Sequence, residues 1–509
     1  MPTSSLKSVS LLSLCSLGQM FLQFAFQVVL AKHFGAGVAM DAFAAGMALP
    51  IVICTTLVGS LGYSFVPIFL ERMHEAGEEE AWKLANSVGL LLFLITGGIS
   101  VGGCLLAEPI MRSLHPGFSA EQLHETVRVF QILSWLTLAN SMTTFLQALY
   151  HSYQRYTPTA IGPLAGVALT VVWTILLHEE WGILAGASGV VAGAVLGNLI
   201  HSPLYLRHFK LQISFDASFK KCMRLLGPLI IGALYYNLDP LVDRYLASKM
   251  SEGSIAHLGY AWRLINGVLI LCTSGLSIVI FPVLIQHFVA GKELETRKEI
   301  AFAIRFLAFI LMPVGLGLAC FSRPIVHDLF ERGQFETSDT AAVALLLAIY
   351  AGVVIGASLG EISAKIFFAI QDTWTPVIIK SVGFTVGAVL KIILGPEHGV
   401  EGIVLATSVY YILNSVIQLI VIRKRLGPGM YAGVPGALLR SFVASAVALS
   451  VAWFVFNAEI PYASIPAILV SIICYAVVTW LLKDEFTLKF VEAVRSGRSS
   501  TTASTEADE

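Results

Sequence analysis

Residues Asp239–Leu264 read DPLVDRYLASKMSEGSIAHLGYAWRL and place Asp239, Asp243, Arg244 and Arg263 inside or beside apolar runs long enough to span a bilayer. An ionised side chain at that depth is costly unless paired or hydrated, so each of the four is a functional suspect. The chain around them accounts for the depth. Of 509 residues, 56% are hydrophobic and 13% charged, with a mean hydropathy of +0.78, against roughly 25% charged residues in soluble domains. This is the composition of an all-α polytopic membrane protein. The formal net charge of -1 carries no basic field that would attract nucleic acid. The seven cysteines (Cys15, Cys54, Cys104, Cys222, Cys272, Cys320, Cys474) lie singly in apolar runs without metal-like spacing and read as small core residues.

Apolar windows of about 20 residues predict spans near 8–31, 38–64, 83–107, 129–150, 156–178 and 181–206. A second set follows near 220–247, 255–285, 299–321, 341–368, 376–395 and 400–422, and two more near 437–457 and 462–482. That is about 14 transmembrane helices. The first apolar run continues past Gln27 without a small-residue cleavage pattern, so it reads as a retained helix and not a signal peptide. Positive residues crowd alternate connections: Arg72 and Lys83, then Arg207 to Arg224, Lys292 to Lys298, and Arg423 to Arg425. The positive-inside rule therefore predicts that both termini are cytoplasmic.

Three landmarks recur at an offset of about 216 residues. AGVAMDAF (36–43) answers EGSIAHLGY (252–260), FVPIFLERMHEAG (65–77) answers IFPVLIQHFVAG (280–291), and YQRYTP (153–158) answers IQDTWTP (370–376). Such spacing predicts two six-helix halves of the same orientation. The expected organisation is an N-lobe at 1–215, a C-lobe at 216–428, two further helices at 429–485 and a disordered cytoplasmic tail at 486–509.

Gln19, Gln23 and Gln27 repeat every four residues and share one face of the first helix. That face either hydrogen-bonds neighbouring helices or lines a cavity. Under the repeat, Gln23 falls opposite Asp239 and Gln27 opposite Asp243. Asp41 lies just inside the second span, where its charge either favours the helix dipole or serves a cavity. Arg263 sits too deep in the eighth span for easy snorkelling. Glu361 and Lys365 form an i, i+4 pair in the tenth, either structural or coupled to ion movement. Lys380 and Lys391, near the ends of the eleventh span, are expected to snorkel to water. No metalloprotease HExxH, phosphate-binding lysine loop, dinucleotide turn or serine elbow occurs, and the connections are too short for a catalytic domain. No metal or cofactor is expected.

Several of these stretches resemble the MurJ (MviN) lipid II flippases, part of a wider superfamily of drug and lipid-linked oligosaccharide exporters. The similarity is carried by KHFGAGVAMDAF (32–43), SFVPIF (64–69), VDRYLASKMSEGSIAHLGYAWRL (242–264), LFERGQF (329–335) and QDTWTP (371–376), in order across about residues 5–425. The resemblance implies a V-shaped pair of lobes around a cationic cavity, with the last two helices forming a groove for a lipid tail. It matches Asp41 to the family's second-helix aspartate and Arg263 to its cavity arginine. Where the family carries further arginines, this chain has Met20, Phe26, Cys54 and Thr55.

The expected activity is translocation of a polyprenyl-pyrophosphate-linked saccharide, lipid II or a relative, across the bacterial inner membrane by alternating access. Arg263, with Arg244, would pair with the pyrophosphate, and Gln19, Gln23 and Gln27 would bond sugar hydroxyls. Asp41, Asp239 and Asp243 would set the cavity field; Asp239, Asp243, Glu361 and Lys365 are candidates for coupling to membrane potential, Na+ or H+. The expected partners are the lipid-linked oligosaccharide, membrane lipid and cell-wall synthesis proteins. Three alternatives differ in class: a cation-coupled exporter of amphipathic small molecules, a membrane-bound transferase, and a non-transporting cell-wall assembly scaffold.

Overall fold

A computed structural model describes residues 3–211, 214–456, 464–489 and 492 of the chain. The helices of the first half are α1 (Thr3–Phe34), α2 (Val38–Ala76), α3 (Glu78–Leu105), α4 (Ala107–Leu114), α5 (Ala120–Leu133), α6 (Trp135–Ser152), α7 (Thr157–Trp181) and α8 (Ile183–His208). There follow α9 (Ala217–Asn237), α10 (Asp239–Ala247), α11 (Ser254–Val289), α12 (Glu293–Phe330), α13 (Thr337–Ile349), α14 (Ala351–Ala369), α15 (Trp374–Leu426), α16 (Val434–Phe456) and α17 (Ser464–Leu481). Among the described residues, eleven helices are long and apolar enough to cross a membrane. In a bilayer every backbone polar group must be satisfied internally, and helices do this within one segment.

The difference between eleven and about fourteen has local causes. α15 is 53 residues long, but Gly399 (φ 63°, ψ -146°) interrupts it. Gly387 and Tyr410 touch, although one straight helix would hold them about 35 Å apart. α15 is therefore a hairpin of two spans. The predicted span 220–247 is divided at Leu238 into α9 and α10, and α17 falls just below the usual spanning length at Pro466–Leu481. The predicted spans 129–150 and 341–368 are each two helices, broken at Ser134 and Tyr350.

The internal repeat is written in the backbone. The breaks at Ser134 and Tyr350 are 216 positions apart. Gln154 and Gln371, in the paired YQRYTP and IQDTWTP turns, both adopt left-handed backbone (φ 55° and 61°), and Gly182 and Gly399 do so as well (φ 54° and 63°). A non-glycine residue at positive φ is uncommon, so its recurrence at one offset marks equivalent turns.

The chain divides into two compact units, Met1–Tyr260 with Phe330–Asp339, and Ala261–Leu329 with Thr340–Glu509. In unit 1, α2 packs against α3, α5, α6 and α9. Its core holds Phe65, Phe69, Trp82, Phe145 and Cys222, capped by Tyr153, whose hydroxyl receives the Trp82 Nε1–H at 2.9 Å. In unit 2, α14 packs on α15 and α16 on α17. Asp372, in the turn before α15, accepts from both the backbone and the hydroxyl of Thr375 and pairs with Arg425. Burial opposes its charge, but the Thr375 donors and Arg425 outweigh it and hold the carboxyl at about 2. The short segment 485–489 is also helical, and its Phe486 ring lies 5.2–5.5 Å from the rings of Phe302, Phe306 and Phe309. The remaining tail, 493–509, lies outside the described residues.

Lys391 corrects the expectation that it snorkels to water. It is fully buried, with its ammonium 5.6 Å from the Tyr410 ring centre. The hairpin brings Tyr410 across one turn of α15, and Gly387 gives the ring its place: a Cβ there would sit 2.3 Å from Tyr410 Cδ1. Gly387→Ala should displace the ring and destabilise the protein by about 1–3 kcal/mol. Thermal unfolding in detergent measures the loss, and new reactivity of Lys391 toward an amine reagent reports the opened cover.

Candidate functional site

Every helix leaves backbone N–H groups without intrahelical partners at its N-terminus. α2 begins after Gly37, which offers no side-chain cap. In unit 1 the starts of α2 and α11 supply each other's acceptors. Asp41, in the first turn of α2, receives the Gly253 N–H on Oδ2 and the Ala256 N–H on Oδ1, both at 2.7 Å. Glu252, just before α11, receives the Val38 N–H on Oε1 at 3.3 Å. Asp41 is 1% exposed, so a carboxylate excluded from water meets the positive end of a second helix.

Further bonds tie a third segment to this junction. The Tyr260 hydroxyl donates to the Gly35 carbonyl at 2.8 Å, and the Gln334 N–H to the Lys32 carbonyl at 3.0 Å. His257 Nε2 lies 2.9 Å from Asp339 Oδ1, while Asp339 Oδ2 accepts from the Glu336 N–H at 3.0 Å. The Tyr260, Phe330 and Phe335 rings pack at centroid distances of 5.2–5.8 Å. Gly253 is at φ 84°, and a Cβ on it would stand 2.5 Å from the Ala36 carbonyl oxygen. Here glycine is required both by conformation and by the close approach. Three stretches singled out in the sequence, 32–43, 252–260 and 329–335, thus converge on one latch.

Beside the latch, Arg244 bridges α10 to α2, donating from Nε to the Ala44 carbonyl at 2.9 Å and from Nη1 to the Pro240 carbonyl at 3.0 Å. The turn 115–118 packs on the end of α10, where Gly117 lies against the Ser248 carbonyl. His115 is buried there, near the Arg244 charge. Burial lowers its imidazole to about 4; the Met111 backbone bond opposes the shift and Arg244 adds to it.

The other sequence-predicted residues are distributed as follows. Gln27 is buried on α1, while Gln19 and Gln23 are half-buried, and α1 packs on α7. Asp239 and Asp243 are half-buried on α10, in unit 1 with Asp41 and Arg244. Arg263, Glu361 and Lys365 belong to unit 2. Arg263 is half-buried, and its Nε has no hydrogen-bond partner among the described residues. Lys365 Nζ is 3.5 Å from Glu361 Oε1, and Lys380 on α15 lies within reach of both charges.

Glu252, Gly253, His257, Tyr260 and Asp339 are site residues that the sequence does not mark by charge in an apolar run. All but Asp339 stand in stretches quoted for their repeat or resemblance; their signal was position in a motif, and no unusual hydropathy set them apart. Asp339 had the weaker signal of an acidic residue in the first turn of an apolar helix.

A family model described as lipid II flippase MurJ matches residues 30–475. The probable lipid II flippase MurJ of Bdellovibrio bacteriovorus is 26% identical over 388 residues, covering 73% of each chain. The lipid II flippase MurJ of Burkholderia cenocepacia is 25% identical over 435 residues, covering 82% of this chain and 83% of its own. Among solved structures, a lipid II flippase MurJ in an inward closed conformation superimposes with a TM-score of 0.80 at 20% identity, covering 94% of this chain and 99% of that one. An inward-facing multidrug resistance MATE family transporter gives 0.70 at 14% identity, covering 80% and 94%.

One outcome tests the latch and a second the buried histidine beside it. Asp41→Asn keeps one acceptor and turns an amide N–H2 toward a backbone N–H, losing a charge-assisted bond of about 1.5–3 kcal/mol. Labelling of a cysteine placed at Val38 should rise roughly 10- to 150-fold in rate if opening limits access. For His115, the folded-state value lies below the unfolded 6.5, so its contribution to stability is complete above pH 6.5 and is lost as pH falls toward 4, at up to about 1.4 kcal/mol per pH unit. Thermal unfolding followed between pH 7 and pH 4.5 should show that decline, and His115→Asn should flatten it.

Proposed function

Because this chain belongs to the lipid II flippase MurJ family, we propose that it carries lipid II, or a related polyprenyl-pyrophosphate-linked saccharide, across the bacterial inner membrane for peptidoglycan or cell-surface polysaccharide synthesis. The observation that carries the mechanistic part is the Asp41 latch. Alternating access requires a contact that closes one face of the membrane and opens in each cycle. A carboxylate shared between the starts of two helices provides this, because its bonds break together when the helices part. Two charge-assisted bonds, at about 1.5–3 kcal/mol each, are comparable to the roughly 5.5 kcal/mol that moves a two-state equilibrium from 1:99 to 99:1. Binding energy from a large cargo is sufficient to bias such a latch.

The distribution of lysine and arginine supports cytoplasmic termini, with the latch on the external face. Arg263 is then the residue that meets the pyrophosphate. Gln19, Gln23 and Gln27 offer hydrogen bonds to sugar hydroxyls, and Asp41 acts through the latch. Asp239 and Asp243, on the helix that Arg244 fastens to α2, are the candidates for coupling to membrane potential, Na+ or H+. A cleft of about 290 Å³ lined by Pro313, Gly317 and Phe321 of α12 and by Leu449, Ala467 and Ser471 of α16 and α17 supports a lipid-tail groove at the last two helices. Cell-wall synthesis proteins are the expected protein partners, and no covalent bond of the cargo changes.

The likeness to a multidrug resistance transporter keeps a second reading, export of an amphipathic small molecule coupled to a cation. Depletion of the protein should lower exposure of lipid II at the outer leaflet; unchanged exposure of both lipid II and exopolysaccharide precursors would overturn the proposal. Arg263→Ala, at equal membrane abundance, should reduce transport at least about tenfold, whereas a scaffold would retain its function.

A further inference from the structure

Within the first six predicted spans the formal charges are Asp41 and Lys83, each at a span start, and the apolar interiors carry none. An anionic cargo must therefore find its counter-charge in the second half. Unit 2 carries a concentration of charge that the latch does not use. On α14, Glu361 and Lys365 lie one turn apart with 3.5 Å between Oε1 and Nζ, and their side chains retain 41% and 30% exposure. The Lys365 ammonium is also 5.5 Å from the Phe281 ring centre. Lys380, on the first segment of α15, a helix that packs on α14, feels the charges of both groups. Among the described residues Lys380 makes neither a hydrogen bond nor an ion pair.

The charge balance decides what such a cluster can hold. One carboxylate faces two ammonium groups, leaving a net charge of +1 within apolar helices, where an uncompensated ion is costly. A small cation would need a surplus of carboxylate oxygens, and here the single carboxylate already has a tethered cation against it. The deficiency is an anion. Lysine binds phosphate as a point charge, without the planar matching that arginine requires, and the partial exposure of the cluster leaves room for a ligand oxygen to approach. Both helices end at the 370–373 turn, on the predicted cytoplasmic side, where a lipid-linked headgroup enters.

We propose that Lys365 and Lys380 form an oxyanion subsite that receives the phosphate groups of the lipid-linked cargo, with Glu361 holding Lys365 in place. This rests on the flippase reading for the identity of the cargo. It assigns Glu361 and Lys365 to cargo recognition, and cation coupling then falls to other residues.

The test uses the full-length protein in phosphatidylcholine nanodiscs, with polyprenyl pyrophosphate, the uncharged polyprenol, inorganic pyrophosphate and phosphatidylglycerol as probes. Lys380→Gln and Lys365→Gln should each weaken polyprenyl pyrophosphate binding by about tenfold or more and leave polyprenol binding unchanged. Lys380→Arg should restore affinity. Glu361→Gln should bind as tightly as the parent or tighter, the opposite sign from a cation site. Undiminished affinity in both lysine variants, or abolished binding in Glu361→Gln, overturns the subsite while the flippase reading stands. Lysine-dependent binding of inorganic pyrophosphate without binding of the polyprenyl form keeps the subsite and removes the cargo assignment. Tighter lysine-dependent binding of phosphatidylglycerol makes it a membrane-lipid site and overturns the cargo role, and absence of all phosphate binding overturns both.

Discussion

A buried carboxylate that caps a helix other than its own is the constraint on which the described junction depends. Asp41 cannot stay out of water without donors, and the first turn of α11 has donors without acceptors. Each need is met by the other, with Glu252 returning the favour to α2. Mutual capping of this kind fixes the relative position of two helix starts more tightly than apolar contact can, because hydrogen bonds are directional and leave little tolerance in distance. It is also reversible, since water can take over the same donors when the helices separate. Stability in one conformation and readiness to leave it come from one set of atoms.

Around that junction, several side chains are engaged with backbone groups. Arg244 donates to two carbonyls, Tyr260 to a third, and Asp339 caps α13 while meeting His257. This satisfies backbone groups at helix ends that have no partner within their own helix. The helix breaks that shorten or divide the spans are thus part of the same chemistry. Each break leaves backbone polar groups without intrahelical partners, and beside the break at Leu238 Arg244 donates to the Pro240 and Ala44 carbonyls.

The two units differ in how their charges are engaged. In unit 1 the described charges near the latch serve structure: Asp41 and Arg244 spend their hydrogen-bonding capacity on the chain itself. In unit 2, Arg263 and Lys380 hold donors that have no hydrogen-bond partner among the described residues. The repeat supplied equivalent frames, visible in the matched left-handed turns at Gln154 and Gln371.

Hydropathy alone determined that this chain is a bundle of membrane helices. Apolar length and backbone satisfaction leave no other solution for runs such as 83–107 or 437–457, and the offset of about 216 residues announced the repeat. The candidate site was legible in part. Asp41, Arg244 and Arg263 stood out because charge in an apolar run is conspicuous. Their partners did not, because backbone N–H and carbonyl groups have no sequence signature and Gly253 or Tyr260 looks ordinary in a helix start. Only the tertiary structure decided that residues 32–43, 252–260 and 329–335 meet, that Lys391 lies under Tyr410 and not in water, and that Lys380 shares the electrostatic field of Glu361 and Lys365. The physical reason is the same throughout. Hydropathy is a sum along the chain and survives without a fold, whereas a hydrogen bond or an ion pair between distant residues exists only at the geometry that the packed helices impose.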